Sequence, residues 1–399
     1  TTGMLQLTYA NRLEVLVAPL AAHVARARAA DPLEPVTVIV PDRAVAQFIR
    51  FRLAEQHGVA AHLRFVFLRR WLTEVVEAAD PALRVLDGAA LVALLHARLG
   101  RGELLAREVM APVGRWLDAA DSPIERSRRQ LQLATQVARL FEEYGYSRPK
   151  LLRGWRRGPQ LADSPWARAE AWQRALWLDL FDGQGVARVD RSAMSLTSDG
   201  QLDLFGGGPK VMPLPDAVRS VSLSQLDLPR AVHCFGLSYV APAFAEVIAR
   251  LAQACDVCVY AINPCMEFWE DVDAAGLKVL HREAFARRAA RVDLEASEDP
   301  FGLTAPGDPP ALRLWGRPGR EFIRQLNQLS ECEFAPGFVD PTHGADHLLA
   351  RLQRDILVRH PEREPVPPPP EGVEPAPPDG SIQLLACPSA RREVEIVAD

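Results

Sequence analysis

Lysine is nearly missing from this chain of 399 residues. It stands only at 150, 210 and 278, and every other basic side chain is arginine. Also missing is any phosphate loop of the form G-x-x-x-x-G-K-[ST]. The nearest cluster, Gly206-Gly207-Gly208-Pro209-Lys210, lacks both the spacing and the hydroxyl. Without backbone N–H groups and a lysine to cradle a triphosphate, ATP hydrolysis by the usual loop is excluded. No apolar run approaches membrane-spanning length, which excludes a transmembrane helix and a membrane partner. No charged segment followed by an apolar stretch opens the chain, so no secretory signal is visible and the reading is cytoplasmic. Cysteine is sparse. Only Cys255-Asp-Val-Cys258 has metal-like spacing, with no second pair to complete four ligands, so the cysteines read as buried reduced thiols and no metal or other cofactor is expected. The net charge of −5 gives no global argument for nucleic acid.

What is present is an α/β pattern. Met4–Ala10 alternates like a strand, Asn11 is placed to cap a helix that ends before Asp31-Pro32, and Val36–Val40 is an apolar run fit for a strand buried on both faces. Strand, helix, strand is a parallel unit. In nucleotide-driven motors of this architecture the first turn is glycine-rich; here it reads Tyr9-Ala10-Asn11-Arg12. A helix over 44–58 after Asp42, a short strand over 62–67 and a helix over 68–78 follow. From there to about 182 the periodicity is helical throughout, with Phe141, Tyr144, Tyr146, Trp155, Trp166, Trp172 and Trp177 mostly at core spacing. Residues 192–229 read as loop. A second strand–helix–strand unit (230–264) is expected to join the first sheet. Residues 343–359 read as a helix, and 361–380 as a proline-rich extended linker. SIQLLACP (381–388) reads as a strand, and the helix after it runs to the chain end in mid-pattern, so the chain reads as an N-terminal fragment. The expected domains are therefore an α/β domain in two parts (1–80 and 230–360), a helical insertion (81–191), a flexible loop (192–229), a linker (361–380) and the start of a further α/β domain (381–399).

Several words line up with one family: L-x-Y-x-NRL-x-VL (5–16), LFEEYGYSRP (140–149), EAWQRALW (170–177), RAVHCFGLSYVAP (230–242), NPCMEFWED (263–271), LWGRPGREFIRQL (314–326) and CPSARREVE (387–395). In order and content they resemble the N-terminal part of the RecC family, the gamma subunits of exodeoxyribonuclease V. The resemblance implies a superfamily 1 helicase-like parallel-sheet domain that has lost its ATP motifs, in agreement with the empty turn at Tyr9–Arg12. It implies a subunit of a double-strand-break repair complex that splits duplex DNA and guides single strands, scanning one of them for a regulatory sequence. RecB-like and RecD-like subunits would supply ATPase and nuclease activity, and this chain by itself is not expected to be an enzyme. Residue by residue, the resemblance places Gln47 and Arg148 on the DNA channel and Arg139, Leu140 and Glu142 in the adjacent strand-scanning word. Pro41 and Arg43 depart from the family's polar pair after the second strand; Arg43 is kept among the DNA-facing candidates, as is Arg153.

Local arginine clusters (64, 69, 70; 126, 128, 129; 148, 153, 156, 157; 287, 288, 291) can line a groove for single-stranded or forked DNA, although a solvated helix face is the plainer reading of any one of them. A nuclease in its own right would need carboxylates set beside a lysine; Glu142-Glu143 and Glu270-Asp271-Asp273 are not so placed. An alternative is an interaction scaffold without direct DNA contact. A separate word, Gln201-Leu202-Asp203-Leu204-Phe205, looks like the pentapeptide by which bacterial proteins dock on the polymerase sliding clamp, with Leu204 and Phe205 as apolar plugs and Gln201 as a polar anchor.

Overall fold

The computed structural model describes residues 3–183, 185–188, 210–270, 308–329, 332–345, 347–359, 379–383 and 385–398. Its largest feature is a sheet of six strands: β1 (Leu5–Ala10), β2 (Val36–Ile39), β3 (Leu63–Val66), β6 (Ala231–Phe235), β7 (Asp256–Ile262) and β8 (Cys332–Pro336), in spatial order β3-β2-β6-β7-β1-β8. The β2–β3, β2–β6 and β6–β7 ladders are parallel. All of β2 is buried, as its unbroken apolar run requires of a strand covered on both faces. The second strand–helix–strand unit does join the first sheet, by inserting β6 and β7 between β2 and β1.

Contact density separates two compact units. The first, Thr1–Leu7, Leu20–Tyr260 and Gln325–Phe334, holds most of the sheet and a helical block. Helix α1 (Leu13–Ala30) follows β1, and α2 (Arg43–His57) follows β2. Asp42 accepts the Val45 N–H at 2.8 Å to start α2. Gly58, at φ 75°, ends that helix in a conformation where a Cβ would be strained. After α3 (Leu68–Ala79) and β4 (Leu83–Val85) come the helices of the block: α4 (Gly88–Leu99), α5 (Gly102–Leu105), α6 (Ala111–Asp118), α7 (Pro123–Ser147), α8 (Pro149–Trp155) and α9 (Ala167–Leu180). Leu91, Leu95 and Leu99 on α4 and Ala134, Val137, Ala138 and Phe141 on α7 are buried at helical spacing in one core. Phe141 meets Trp177 edge to face at 5.1 Å and Trp155 at 6.2 Å. Such aromatic pairs add about 0.5–1.5 kcal/mol each beyond burial. Trp166 departs from the expected core: it is 66% exposed, just ahead of α9.

The chain leaves the block beside the point where it entered. β5 (Lys210–Met212) pairs in parallel with β4, and Ala187 N–H reaches the Val211 carbonyl at 2.7 Å. This clip lies where the sequence reads as helix on one side and loop on the other. The 210–229 part of the expected loop also carries α10 (Leu214–Ser220), and α11 (Pro242–Leu251) then links β6 to β7.

The second unit is Thr8–Pro19, Ala261–Arg324 and Ala335–Asp399. In it, two of the family-like words close on one ring. The Trp269 indole donates to Asn263 Oδ1 at 3.0 Å, and a Cβ added at Gly316 or Gly319 would stand 3.0 or 3.4 Å from that ring. Asn11 does not cap α1, which starts at Leu13. Its side-chain amide donates to the Val339 carbonyl at 2.8 Å and accepts the Val339 N–H at 3.0 Å. Residues 381–388 form no strand among the described residues, and the helix Ala390–Ala398 follows. No described helix is long and apolar enough to cross a membrane.

Candidate functional site

The candidate DNA residues fall on two surfaces of the first unit. On α2, Ala46, Ile49 and Leu53 are buried, which turns Arg43, Gln47 and Arg50 to solvent. The Arg50 guanidinium lies 5.0 Å from the Phe65 ring centroid, a cation–π distance. Phe51 is 62% exposed beside it. This surface therefore joins an amide, guanidinium groups and open aromatic faces, the group types that hold phosphates and stack bases.

The other surface is the corner between α7 and α8. Pro149 disfavours helical backbone at the residue before it. Arg148 accordingly leaves the helix at φ −134°, ψ 51°, and its N–H closes α7 on the Tyr144 carbonyl at 2.9 Å. Its side chain is exposed and makes no ion pair among the described residues. Arg139 is exposed on α7, and Leu140 is half-buried.

Glu142 and Arg153 are held by neighbours distant in sequence. Arg69 of α3 binds Glu142 at 3.0 Å and lies 5.7 Å from the Tyr146 ring. Tyr146 stacks on Phe244 of α11 at 5.0 Å, and burial raises its phenol pKa. Arg153 grips Glu246 of α11 with two hydrogen bonds of 3.0 Å, a bidentate, charge-assisted pair. Arg219 stands 3.7 Å from the same carboxylate. The Arg153 hydrogen bonds hold the Glu246 carboxyl below its ordinary pKa. Glu142 and Arg153 line one narrow cavity of about 40 Å³, together with Tyr146, Arg156, Asp216 and Arg219. Gln47 and Arg43 do not line it.

The residues that sequence reasoning missed are partners rather than motifs. Glu246 and Phe244 carry no signal near α8, and Arg69 stands in the sequence only as one member of a basic cluster. Among the described residues one group of side chains is close enough to hold a metal ion, His23, His233 and Cys258. Gln201, Leu202, Leu204 and Phe205 lie outside the described residues, as do Arg287, Arg288, Arg291, Asp271 and Asp273.

Comparison with known proteins supplies the wider frame. The sequence model of the family "RecC, N-terminal domain" matches residues 5–359. The chain is similar to the RecBCD enzyme subunit RecC of Escherichia coli (strain K12), 27% identical over 427 residues that cover 99% of this chain and 35% of that protein. Similar proteins of the same description occur in Haemophilus influenzae (23% identical, 98% of this chain, 36% of that protein) and Mycobacterium tuberculosis (25%, 99% and 32%). The chain spans about a third of the length of the curated relatives it matches.

Proposed function

The chain belongs to the RecC N-terminal domain family, and from that premise we propose that it is a non-catalytic DNA-handling part of a cytoplasmic helicase–nuclease for double-strand-break repair. It splits duplex, guides the separated strands and scans one of them, while RecB-like and RecD-like partners supply ATPase and nuclease activity. In this reading residues 1–80 and 230–360 are an inactive superfamily 1 helicase-like domain. Residues 81–191 are its helical insertion, 361–380 a linker and 381–399 the start of a further domain.

One observation carries the non-catalytic part. The turn after β1, where a motor of this class would keep its phosphate-binding glycines, has Asn11 committed at both ends of its amide to the Val339 main chain. The Tyr9 and Ala10 carbonyls likewise accept the N–H groups of Gly337 and Asn263, at 2.7 and 2.9 Å. The DNA-handling part is supported by Arg148, an exposed guanidinium fixed at a proline-made corner and free of ion pairs among the described residues. Gln47, Arg43 and Arg139 are its exposed companions, and Leu140 is half-buried next to Arg139.

The test is fluorescence anisotropy of labelled single-stranded and forked DNA with the chain across a salt series. Binding weakens steeply with salt, and Arg148→Ala lowers the affinity and flattens the log–log salt slope by about 0.7. The absence of salt-sensitive binding would overturn this reading and favour a scaffold without DNA contact, to which the engagement of Arg69 and Arg153 by carboxylates lends support. The pentapeptide Gln201–Phe205 is assigned to sliding-clamp docking; capture of purified clamp that is lost in Phe205→Ala tests it.

A further inference from the structure

Away from both surfaces, four side chains of the first unit converge on one point. β6 and β7 are parallel and in register at His233↔Cys258, so these two side chains share a face of the sheet. Tyr260, two residues beyond Cys258, lies on that face as well. From α1, His23 reaches the same spot: its Nδ1 is 2.6 Å from the Tyr260 hydroxyl, and His233 Nδ1 is 3.1 Å from it. The Cys258 thiol, on the same face, donates to Gln6 Oε1 at 3.9 Å. The donor atoms of His23, His233 and Cys258 all lie within 4.8 Å of one another. His233 is 2% exposed and Cys258 7%. All three side chains line a cavity of about 380 Å³, whose wall also carries Asp31, Glu34 and Asp256 as well as Arg26 and Arg230.

A hydroxyl has one proton to give and lone pairs to accept with, so Tyr260 donates to one imidazole and accepts from the other. Two imidazoles and a thiol whose donor atoms lie within 4.8 Å of one another beside a cavity are also a ligand set. Nitrogen and sulfur donors select borderline-soft transition ions over magnesium or calcium, which want carboxylates and carbonyls. We infer that His23, His233 and Cys258 form a zinc site, with the Tyr260 oxygen that they already surround as the fourth position. Zinc–nitrogen and zinc–sulfur bonds of about 2.0–2.1 and 2.3 Å require the donors to draw together by roughly 1 Å. His23, half-buried at the cavity wall, has room to make that movement. The ion enters through the cavity, displaces the thiol proton and ties α1 to the two central strands. No chemistry is assigned to it.

The test uses the whole chain, reduced and equilibrated with Zn²⁺, then freed of loose metal by gel filtration and analysed by elemental mass spectrometry. One ion per chain is expected. It should be lost in Cys258→Ser and in His23→Ala and kept in Cys387→Ser, whose thiol lies elsewhere. With Co²⁺ as the probe, the same chain shows thiolate-to-metal charge-transfer absorption that Cys258→Ser abolishes. Circular dichroism melts confirm that each variant is folded, and His23→Ala, on the helix rather than the sheet, keeps the test open should Cys258→Ser unfold. Retention of metal by both variants, or no stoichiometric ion in the folded parent chain, would overturn the assignment.

Discussion

Two buried polar clusters in the same unit are built on opposite plans. In the helical block, Glu170 is 3% exposed and meets only donors: the Trp155 indole N–H at 2.8 Å and the backbone N–H groups of Gln160 and Leu161 at 2.6 and 2.8 Å. Burial alone pushes its pKa up, but those three hydrogen bonds outweigh it and leave the carboxyl below its ordinary value. The cluster is saturated, and its effect is to pin the segment between α8 and α9. Around Tyr260, by contrast, one hydroxyl is shared by two imidazoles and the neighbouring thiol turns to Gln6, all beside an open cavity. A saturated cluster specifies a conformation. One whose donor atoms line a cavity can take up something else.

The sharpest way to break this contrast is Glu170→Ala. It strands the buried Trp155 indole N–H and the part-buried N–H groups of Gln160 and Leu161, and should cost about 2–4 kcal/mol in urea unfolding; a near-neutral result would show that water replaces the carboxylate and that the cluster was never closed. The pH dependence carries the same signature. Because the folded pKa of Glu170 lies below the unfolded value near 4.5, its contribution is present above pH 4.5 and is lost as pH falls through the lower folded value. Glu170→Gln should remove that part of the acid sensitivity. Tyr260→Phe should cost less, about 1–2 kcal/mol, since the imidazoles it releases can turn to cavity water; a cost equal to that of Glu170→Ala would mean that the second cluster is as closed as the first. Smaller again is Arg69→Ala, which breaks a half-exposed pair with Glu142 and should cost under about 1 kcal/mol, with most of the coupling recovered in a double-mutant cycle with Glu142→Ala. Arg148→Ala should leave the melting midpoint unchanged, because nothing among the described residues depends on its guanidinium; a drop in stability would make it a structural residue and remove it from the proposed DNA surface.

How far these features can be read from the chain depends on range. The ends of α2 are legible because Asp42 and Gly58 act within a few residues, and the corner at Arg148 because Pro149 is adjacent. β6 and β7 announce themselves as apolar runs. β4 and β5 do not, because three-residue strands far apart in the chain leave no periodic trace. Asn11 reads as a cap because capping is local; its real partner, Val339, is 328 residues away. The metal-ligand set is hidden for the same reason. His23 and Tyr260 are 237 residues apart, and the sequence pairs Cys258 with its neighbour Cys255 instead of with β6. The family-like words around Asn263, Trp269, Gly316 and Gly319 have a packing explanation: they enclose one indole. Their distinctiveness therefore argues for fold, whereas Arg148 and Gln47, exposed on the surface, are where recognition is proposed.

The strand order has a consequence for synthesis. β1 and β2 leave the ribosome early but are not neighbours in the finished sheet; the two strands that separate them end only at Ile262. Every contact in the core of the helical block is local by comparison and complete before β6 emerges. Non-local pairing has to wait for its partners, so the nascent chain carries β1 unpaired and β2 paired only with β3 while the block upstream of β6 is already able to fold. A helper that shields those edges, or a translation pause placed after Ile262, would act in that interval and at no other time.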